Sequence, residues 1–453
     1  MERDCNQEST LNSGAQSRLL AFDLLDEVNR NGAYANLALP KILAKSNLSV
    51  QDRALVTELA YGTLRMQSKY DFVISQFADR QIEEIDPKLL DLIRLGAHQI
   101  FSMRTPAHAA INETVEVGKK VVGKSRSAFL NAMLRKFTSI EDLDGFLTEK
   151  LPIEIERLSI KFSHPVWVIR AFYDRLGNWD EVAALLQSDN LPAKPNLIAW
   201  PTLSSKAELI ANDAEDIPFI SNGVVANNPP ESYSAIRENR AGVQDAGSQY
   251  LTEVFYATKL SDEDKWLDLC AAPGGKAKYL YELNGRKNLI ANEINPIRFD
   301  LLKRILPIDI LRNFDGRDSS NFEGKFDRIL IDAPCTGLGA LRRRPEARWR
   351  KTLNDLKELI SIQRQLIDSA YEMLAPGGII AYATCSPHIL ETKAQVADAL
   401  HRHKDLEVLS INDLALESKK GIEPDGTMQL WTHRDGTDSM FLALLRRKNA
   451  NLS

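Results

Sequence analysis

The chain has 453 residues, enough for roughly two to four domains, and its 44% hydrophobic and 26% charged content is that of an ordinary globular protein. A net charge of −5 excludes a globally basic nucleic-acid binder, so any contact with a polyanion has to rest on local patches. Four cysteines, Cys5, Cys270, Cys335 and Cys385, stand far apart with no CxxC or CxxH spacing, which points to neither a metal site nor a disulfide framework. Neither a secretory signal nor a membrane span is expected, and the free thiols suit a reducing cytoplasm.

In chain order, residues 1–14 are polar and read as a disordered tail. A helical domain is expected over 15–145. Ser17 is a candidate cap for a helix with Leu20, Leu24, Leu25 and Val28 on one face, and Asp52, Leu55, Leu59, Tyr61 and Leu64 continue the spacing. Asp86-Pro87 starts a further helix whose apolar face is Leu89, Leu90, Leu92, Ile93 and Leu95. Near its end this domain carries Lys119, Lys120, Lys124, Arg126, Arg135 and Lys136, either a solvated face or an RNA-binding one. Residues 150–250 read as a small α/β module in which His164, lying before Pro165, is a turn residue rather than a ligand.

The last domain, 251–450, alternates strand and helix. Strands are predicted at Trp266–Leu269, Leu289–Ala291, Arg328–Ile331 and Ile379–Ala383, with a helix at Asn354–Leu374 ended by Pro376-Gly-Gly378 and a final strand, Phe441–Leu445, closing a doubly wound sheet. Between the first strand and a helix at Lys276–Leu283 lies the turn Cys270, Ala271, Ala272, Pro273, Gly274, Gly275, Lys276. A Walker loop fails here, because Cys270 and Ala277 stand where Gly and Ser or Thr are needed, and no Gly-x-Gly-x-x-Gly is present. The turn suits S-adenosylmethionine better, with Glu293, 25 positions after Asp268, as an acid for the two ribose hydroxyls.

Two further motifs follow strands, Asp332-Ala-Pro-Cys-Thr-Gly-Leu-Gly339 and Ala383-Thr-Cys-Ser-Pro387. Two cysteines beyond strand ends fit methylation of cytosine carbon 5. That carbon is too weak a nucleophile until a thiolate adds to carbon 6, and a second thiol can serve when that bond breaks. Asp332 can hydrogen-bond nitrogen 3 of the ring. The run Arg342-Arg-Arg-Pro-Glu-Ala-Arg-Trp-Arg-Lys351 suits phosphate contact with stacking on Trp349, against the alternative of a surface charge run.

Asp268-Leu-Cys-Ala-Ala-Pro-Gly-Gly-Lys276, Asp332-Ala-Pro-Cys335 and Thr384-Cys-Ser386 resemble the RNA 5-methylcytosine methyltransferases of the NOL1/NOP2/Sun group, from about residue 150 onward. The stretches Arg18–Leu25, Asp52–Gly62 and Ala110–Gly118 resemble the NusB family of helical RNA-binding domains. The expected architecture is thus multidomain: an N-terminal all-α NusB-like domain, a small α/β middle module and a C-terminal Rossmann-like S-adenosylmethionine methyltransferase domain. The resemblance implies a cytoplasmic, monomeric enzyme acting on carbon 5 of a cytosine in 16S rRNA. Cys385 matches the nucleophile, Cys335 the thiol that assists release, and Asp332 the acid bordering cofactor and cytosine. Cys270 to Lys276 match the cofactor loop, Glu293 the ribose acid, and Asp315 the residue on the adenine amino group, with Asp318 a rival. The same chemistry on tRNA or another rRNA, a non-catalytic RNA-binding assembly factor, and exchanged roles for the two thiols remain alternatives. Thr336, Leu338, Ser439 and Met440 depart mildly from the family pattern, and Asn196-Leu-Ile-Ala-Trp200 lacks an Arg often found there.

Overall fold

The structure is a computed structural model that describes residues 12–449. It divides into two compact units, one made of the chain up to Ile169 together with Arg343–Arg350, the other of Arg170–Arg342 with the chain from Lys351 onward. The divide therefore falls within the expected 150–250 module rather than before it.

The first unit is helical: α1 (Ser13–Asn29), α2 (Ala35–Ala44), α3 (Val50–Arg65), α4 (Gln67–Phe77), α5 (Pro87–Phe101), α6 (Ala107–Val121) and α7 (Gly123–Phe137), then Leu143–Lys150 and Glu154–Phe162. Residues 1–11 of the expected polar tail, Cys5 among them, lie outside the described residues. The helix itself starts earlier than Ser17. Asn12 caps α1 by accepting from the Ala15 amide at 2.8 Å, an equally good cap, and Ser17 turns its hydroxyl inward to the Ser13 carbonyl. Asp86 caps α5 as expected, with Pro87 at the first helical position. Leu24, Leu25, Leu59, Leu64, Leu92, Ile93 and Leu95 form its core.

Arg343–Arg350 lies in this unit, which corrects the phosphate-binding expectation for two of its residues. Arg348 is fully buried and donates to the carbonyl oxygens of Arg65 at 3.2 Å and Ser163 at 3.0 Å. Arg350 donates to the carbonyls of Val28, Ala33 and Gly32 and lies 5.2 Å over the Tyr34 ring. Glu346 is buried and accepts from the Ala35 amide. These side chains satisfy backbone groups at helix ends, where arginine serves as well as it does on phosphate. His164 is buried, with Nδ1 2.7 Å from the Phe162 carbonyl. Burial, then the Arg348 charge, holds its pKa well below the ordinary histidine value.

In the second unit, β1 (Asn196–Ala199), β2 (Ala214–Asp216), β3 (Gly223–Ala226) and β4 (Ala241–Val243) make an antiparallel sheet in the order β2-β3-β1-β4. The larger sheet contains β5 (Trp266–Asp268), β6 (Leu289–Asn292), β7 (Leu311–Arg312), β8 (Phe326–Asp332), β9 (Leu374–Thr384), β10 (Leu406–Val408), β11 (Met428–Gln429) and β12 (Phe441–Arg447). Its order is β10-β12-β9-β8-β5-β6-β7, parallel from β7 to β9, with β12 and β10 antiparallel. The final strand therefore does not close the sheet but inserts between β9 and the edge strand β10. Apolar residues of both sheet faces make the core, as a sheet covered on two sides requires.

The long helix ends at Met373, and Pro376-Gly377-Gly378 lies inside β9 instead of stopping that helix. Leu374 already pairs with Phe326, and the register then slips so that Arg328 faces Ile379, with Gly377 at φ +76° in the bulge. The departures at Ser439 and Met440 also have structural uses. Ser439 Oγ lies 3.2 Å from the Thr432 amide, and Met440 is buried in the core.

Candidate active site

The chain runs from β5 through β6 to β7 on one side and places β8 and β9 on the other, so the strand order reverses between β5 and β8. Open α/β sheets bind ligands beyond the C-terminal strand ends at such a point. Register brings the expected residues there. Asp268 ends β5 opposite Leu330, and Asp332 ends β8 opposite Ala383, two residues before Cys385.

After β5 the backbone turns through Gly274 at φ +113° into the helix Gly275–Leu283. A Cβ on Gly274 would lie 2.3 Å from Ile305 Cδ1, so both conformation and space require glycine. Asp268 is fully buried. One oxygen accepts from the Cys270 amide at 3.3 Å, and Oδ2 has no hydrogen-bond partner. Burial, then repulsion from Asp332, raises its pKa to about 8. Burial also pushes the Cys270 thiol well above the ordinary value, with the Asp268 charge adding to it, which leaves Cys270 a poor nucleophile.

Lys276 Nζ donates to Asp332 Oδ2 at 2.8 Å. Burial alone would lower the Lys276 pKa, but the Asp332 carboxylate outweighs it and the value rises, with the Cys385 charge contributing. The ammonium therefore lies within electrostatic reach of Asp332, Asp268 and Cys385.

Glu293, just past β6, is 2% exposed, accepts from the Asn295 amide at 2.9 Å and lies 3.5 Å from Arg298 Nη1. Asn292 ties the neighbouring loops by donating to the Leu269 and Phe314 carbonyls and accepting from the Phe314 amide. Asp315 follows directly and pairs with Arg317, which holds its carboxyl below the usual range. Gly316 packs against Leu269, whereas Asp318 caps the turn Ser319–Asn321. The Phe314–Gly316 turn therefore abuts the loop after β5, and the carboxylate of Asp318 is occupied by Ser320. The orphaned Asp268 oxygen, the glycine turn and the Glu293 carboxylate make a donor and acceptor set that fits an aminoacyl nucleoside such as S-adenosylmethionine.

Cys335 Sγ lies 3.4 Å from Cys385 Sγ, and neither forms a disulfide. Gly339 brings the turns together, its amide donating to the Cys385 carbonyl at 2.9 Å and its carbonyl accepting from the Ser439 amide at 2.8 Å. Sequence reasoning missed the polar network beneath the two turns. The Glu391 carboxylate accepts from the Thr336 amide at 2.8 Å, the Thr336 hydroxyl and Gln363 Nε2, while the Tyr382 hydroxyl lies 2.7 Å from the Glu391 carbonyl. Gln363 sits on a helix and Glu391 ends the short helical turn Ile389–Glu391, with no motif spacing to expose them. In the helical unit, Lys119, Lys120, Lys124, Arg126, Arg135 and Lys136 are all exposed; Lys119 pairs with Glu116 and Arg126 with Asp86.

The family described as 16S rRNA methyltransferase RsmB/F matches residues 255–446, and the NusB family matches residues 15–139. A methyltransferase of Mycobacterium tuberculosis is 40% identical over 444 residues, covering 95% of this chain and 96% of that one. The ribosomal RNA small subunit methyltransferase B of Klebsiella pneumoniae is 28% identical over 445 residues, covering 95% and 98%. The crystal structure of PH0851 superposes with a TM-score of 0.78 over 97% of this chain and 99% of that chain, at 22% identity, a likeness of fold. The chain therefore belongs to the 16S rRNA methyltransferase RsmB/F family, and in it a NusB-type helical domain precedes a Rossmann-like methyltransferase domain.

Proposed function

We propose that this enzyme methylates carbon 5 of a cytosine in 16S rRNA, using S-adenosylmethionine and a covalent bond between Cys385 and carbon 6 of the ring. The observation that carries the reading is the pair of thiols 3.4 Å apart beyond β8 and β9, next to the Lys276–Asp332 pair. The cofactor supplies an electrophilic methyl group. Gly274, Gly275 and the loop Cys270–Lys276 would bind it, with the buried Asp268 carboxyl and the Glu293 carboxylate facing its polar groups and Asp315 toward the adenine.

The remaining chemistry belongs to the chain's own side chains. The Cys385 thiolate, within electrostatic reach of the Lys276 ammonium, adds to carbon 6 and makes carbon 5 electron-rich. Asp332 would donate to nitrogen 3 in its acid form as charge enters the ring, with Lys276, its donor at 2.8 Å, able to pass it that proton. Loss of the carbon 5 proton to a solvent base then re-forms the C5–C6 double bond and expels the Cys385 thiolate, a step that Cys335 assists. The target base has to leave its stack to reach the thiols. The exposed lysines and arginines of α6 and α7 support phosphate contact by the helical domain, a sequence-independent contribution to RNA affinity.

The test is a set of thiol variants with labelled rRNA on denaturing gels. Cys335→Ala should accumulate protein covalently attached to RNA, and Cys385→Ala and the double variant should not. Adduct in Cys385→Ala with none in Cys335→Ala would reverse the roles. Cofactor-independent binding of rRNA with no transfer by the unaltered enzyme would favour the assembly-factor alternative.

A further inference from the structure

Cys335 has no rigid element of its own, since it sits in the turn between β8 and the short helical turn Leu338–Ala340. What fixes it is a buried carboxylate. Glu391 is fully buried, and its oxygens accept from the Thr336 amide at 2.8 Å, from the Thr336 hydroxyl and from Gln363 Nε2 at 3.2 Å. Gln363 Nε2 also donates to the Pro334 carbonyl at 2.9 Å. The residues on both sides of Cys335 are thus held by one carboxylate–amide pair. Thr336 Oγ1 lies 3.1 Å from Ser386 Oγ, so the same network reaches the residue after Cys385. A buried carboxylate is costly to keep unless its lone pairs are satisfied, and here they are spent on the turn that carries a thiol.

We propose that Glu391, acting with Gln363 and Thr336, is the positioning residue for Cys335 and thereby sets the rate at which the methylated RNA is released from Cys385. The proposal rests on the thiol mechanism given above. Its electrostatic side is consistent with the geometry. The hydrogen bond with Cys385, then burial, then the charges of Cys385 and Glu391 push the Cys335 thiol well above its ordinary value. The titratable groups facing this region are Cys385 and His388 from the turn after β9, Tyr382 on β9 and Glu391 itself.

The experiment compares Glu391→Gln and Thr336→Val with Cys335→Ala in the full-length enzyme. With labelled rRNA and S-adenosylmethionine, both variants should form the Cys385-dependent adduct at the normal rate and release it at least about tenfold more slowly. In a Cys385→Ala background, where Cys335 is alkylated by iodoacetamide across a pH series, Glu391→Gln should move the alkylation midpoint down by about one pH unit, a change that lost rigidity alone does not produce. Thr336→Val keeps the carboxylate and should slow release with a much smaller shift. Normal release in both variants with an unchanged alkylation profile overturns the proposal while leaving the thiol mechanism standing. Absence of any adduct in Cys335→Ala overturns the mechanism, and the proposal with it.

Discussion

Lys276 pairs with Asp332 and lies within electrostatic reach of Asp268, and replacing it tests whether its charge is what makes the site tolerable. Its ammonium is 2.8 Å from Asp332 Oδ2 and opposes the rise of the buried Asp268 to about 8. Lys276→Met keeps a stem of similar shape and removes the charge. Breaking a buried pair by deleting one partner costs about 3–5 kcal/mol, and because the Asp332 side chain is 27% exposed we expect about 3 kcal/mol at pH 9. The pH dependence follows from Asp268. Its folded pKa lies above the unfolded value, so its protonation favours the fold at the acid end, and that contribution is lost as pH rises from about 4 through about 8. At pH 6 Asp268 is neutral in both proteins, the repulsion between the two acids is absent, and the variant's deficit should fall to about half. Scanning calorimetry at pH 6 and pH 9 reads this as a Tm lowered by about 3–5 °C at the higher pH and clearly less at the lower. Equal losses at both pH values, or a loss under about 1 °C at pH 9, would refute the charge-balance argument.

Glu293→Ala should weaken S-adenosylmethionine binding by about 1–3 kcal/mol in an equilibrium titration, and unchanged affinity would place the ribose elsewhere. Gly339→Ala would bring a Cβ to 2.0 Å from the Ser439 carbonyl oxygen and 2.9 Å from that of Cys385. Because both neighbours are backbone, we expect a loss of about 1–3 kcal/mol in thermal unfolding together with collapse of methyl transfer. Arg348→Ala strips its buried bonds to Arg65 and Ser163 and should cost about 2–4 kcal/mol, whereas Arg344→Ala, at an exposed position, should leave Tm unchanged. A chain starting near Leu151 leaves Arg350 without Val28 and Ala33, and Arg348 without Arg65, so it should melt well below the full-length protein; an equal Tm would dispute this packing.

The two architectures were legible in the chain because their signals are local. Helical apolar spacing in α1 and α5, the Asp86-Pro87 start and the strand–turn–helix around Gly274-Gly275 each depend on residues a few positions apart. The candidate thiols were legible for a similar reason, since each follows an apolar strand within its own short motif. Errors came where a local signal had a competing use. Pro376-Gly-Gly378 reads as a helix stop, yet β8 recruits it into a bulge. The cluster Arg342–Lys351 reads as a phosphate surface, yet Arg348 and Arg350 face backbone carbonyls of the helical unit.

What no pattern exposes is the pairing of residues far apart in the chain. Cys335 and Cys385 meet because β8 and β9 keep a single register from Arg328 to Asp332, beyond the bulge, and a shift of one residue there would turn the strand side chains to the other face. Lys276 balances Asp332 across 56 positions, and Glu391 reaches Thr336 across 55. Short-range propensities write the elements, whereas the charge state of this site depends on burial and on partners that meet only once the sheet has formed. Desolvation acts on a place in space rather than on a position in the chain, which is why Asp268, read from the sequence only as the end of a strand and the start of a motif, becomes a carboxyl whose pKa is pushed up to about 8.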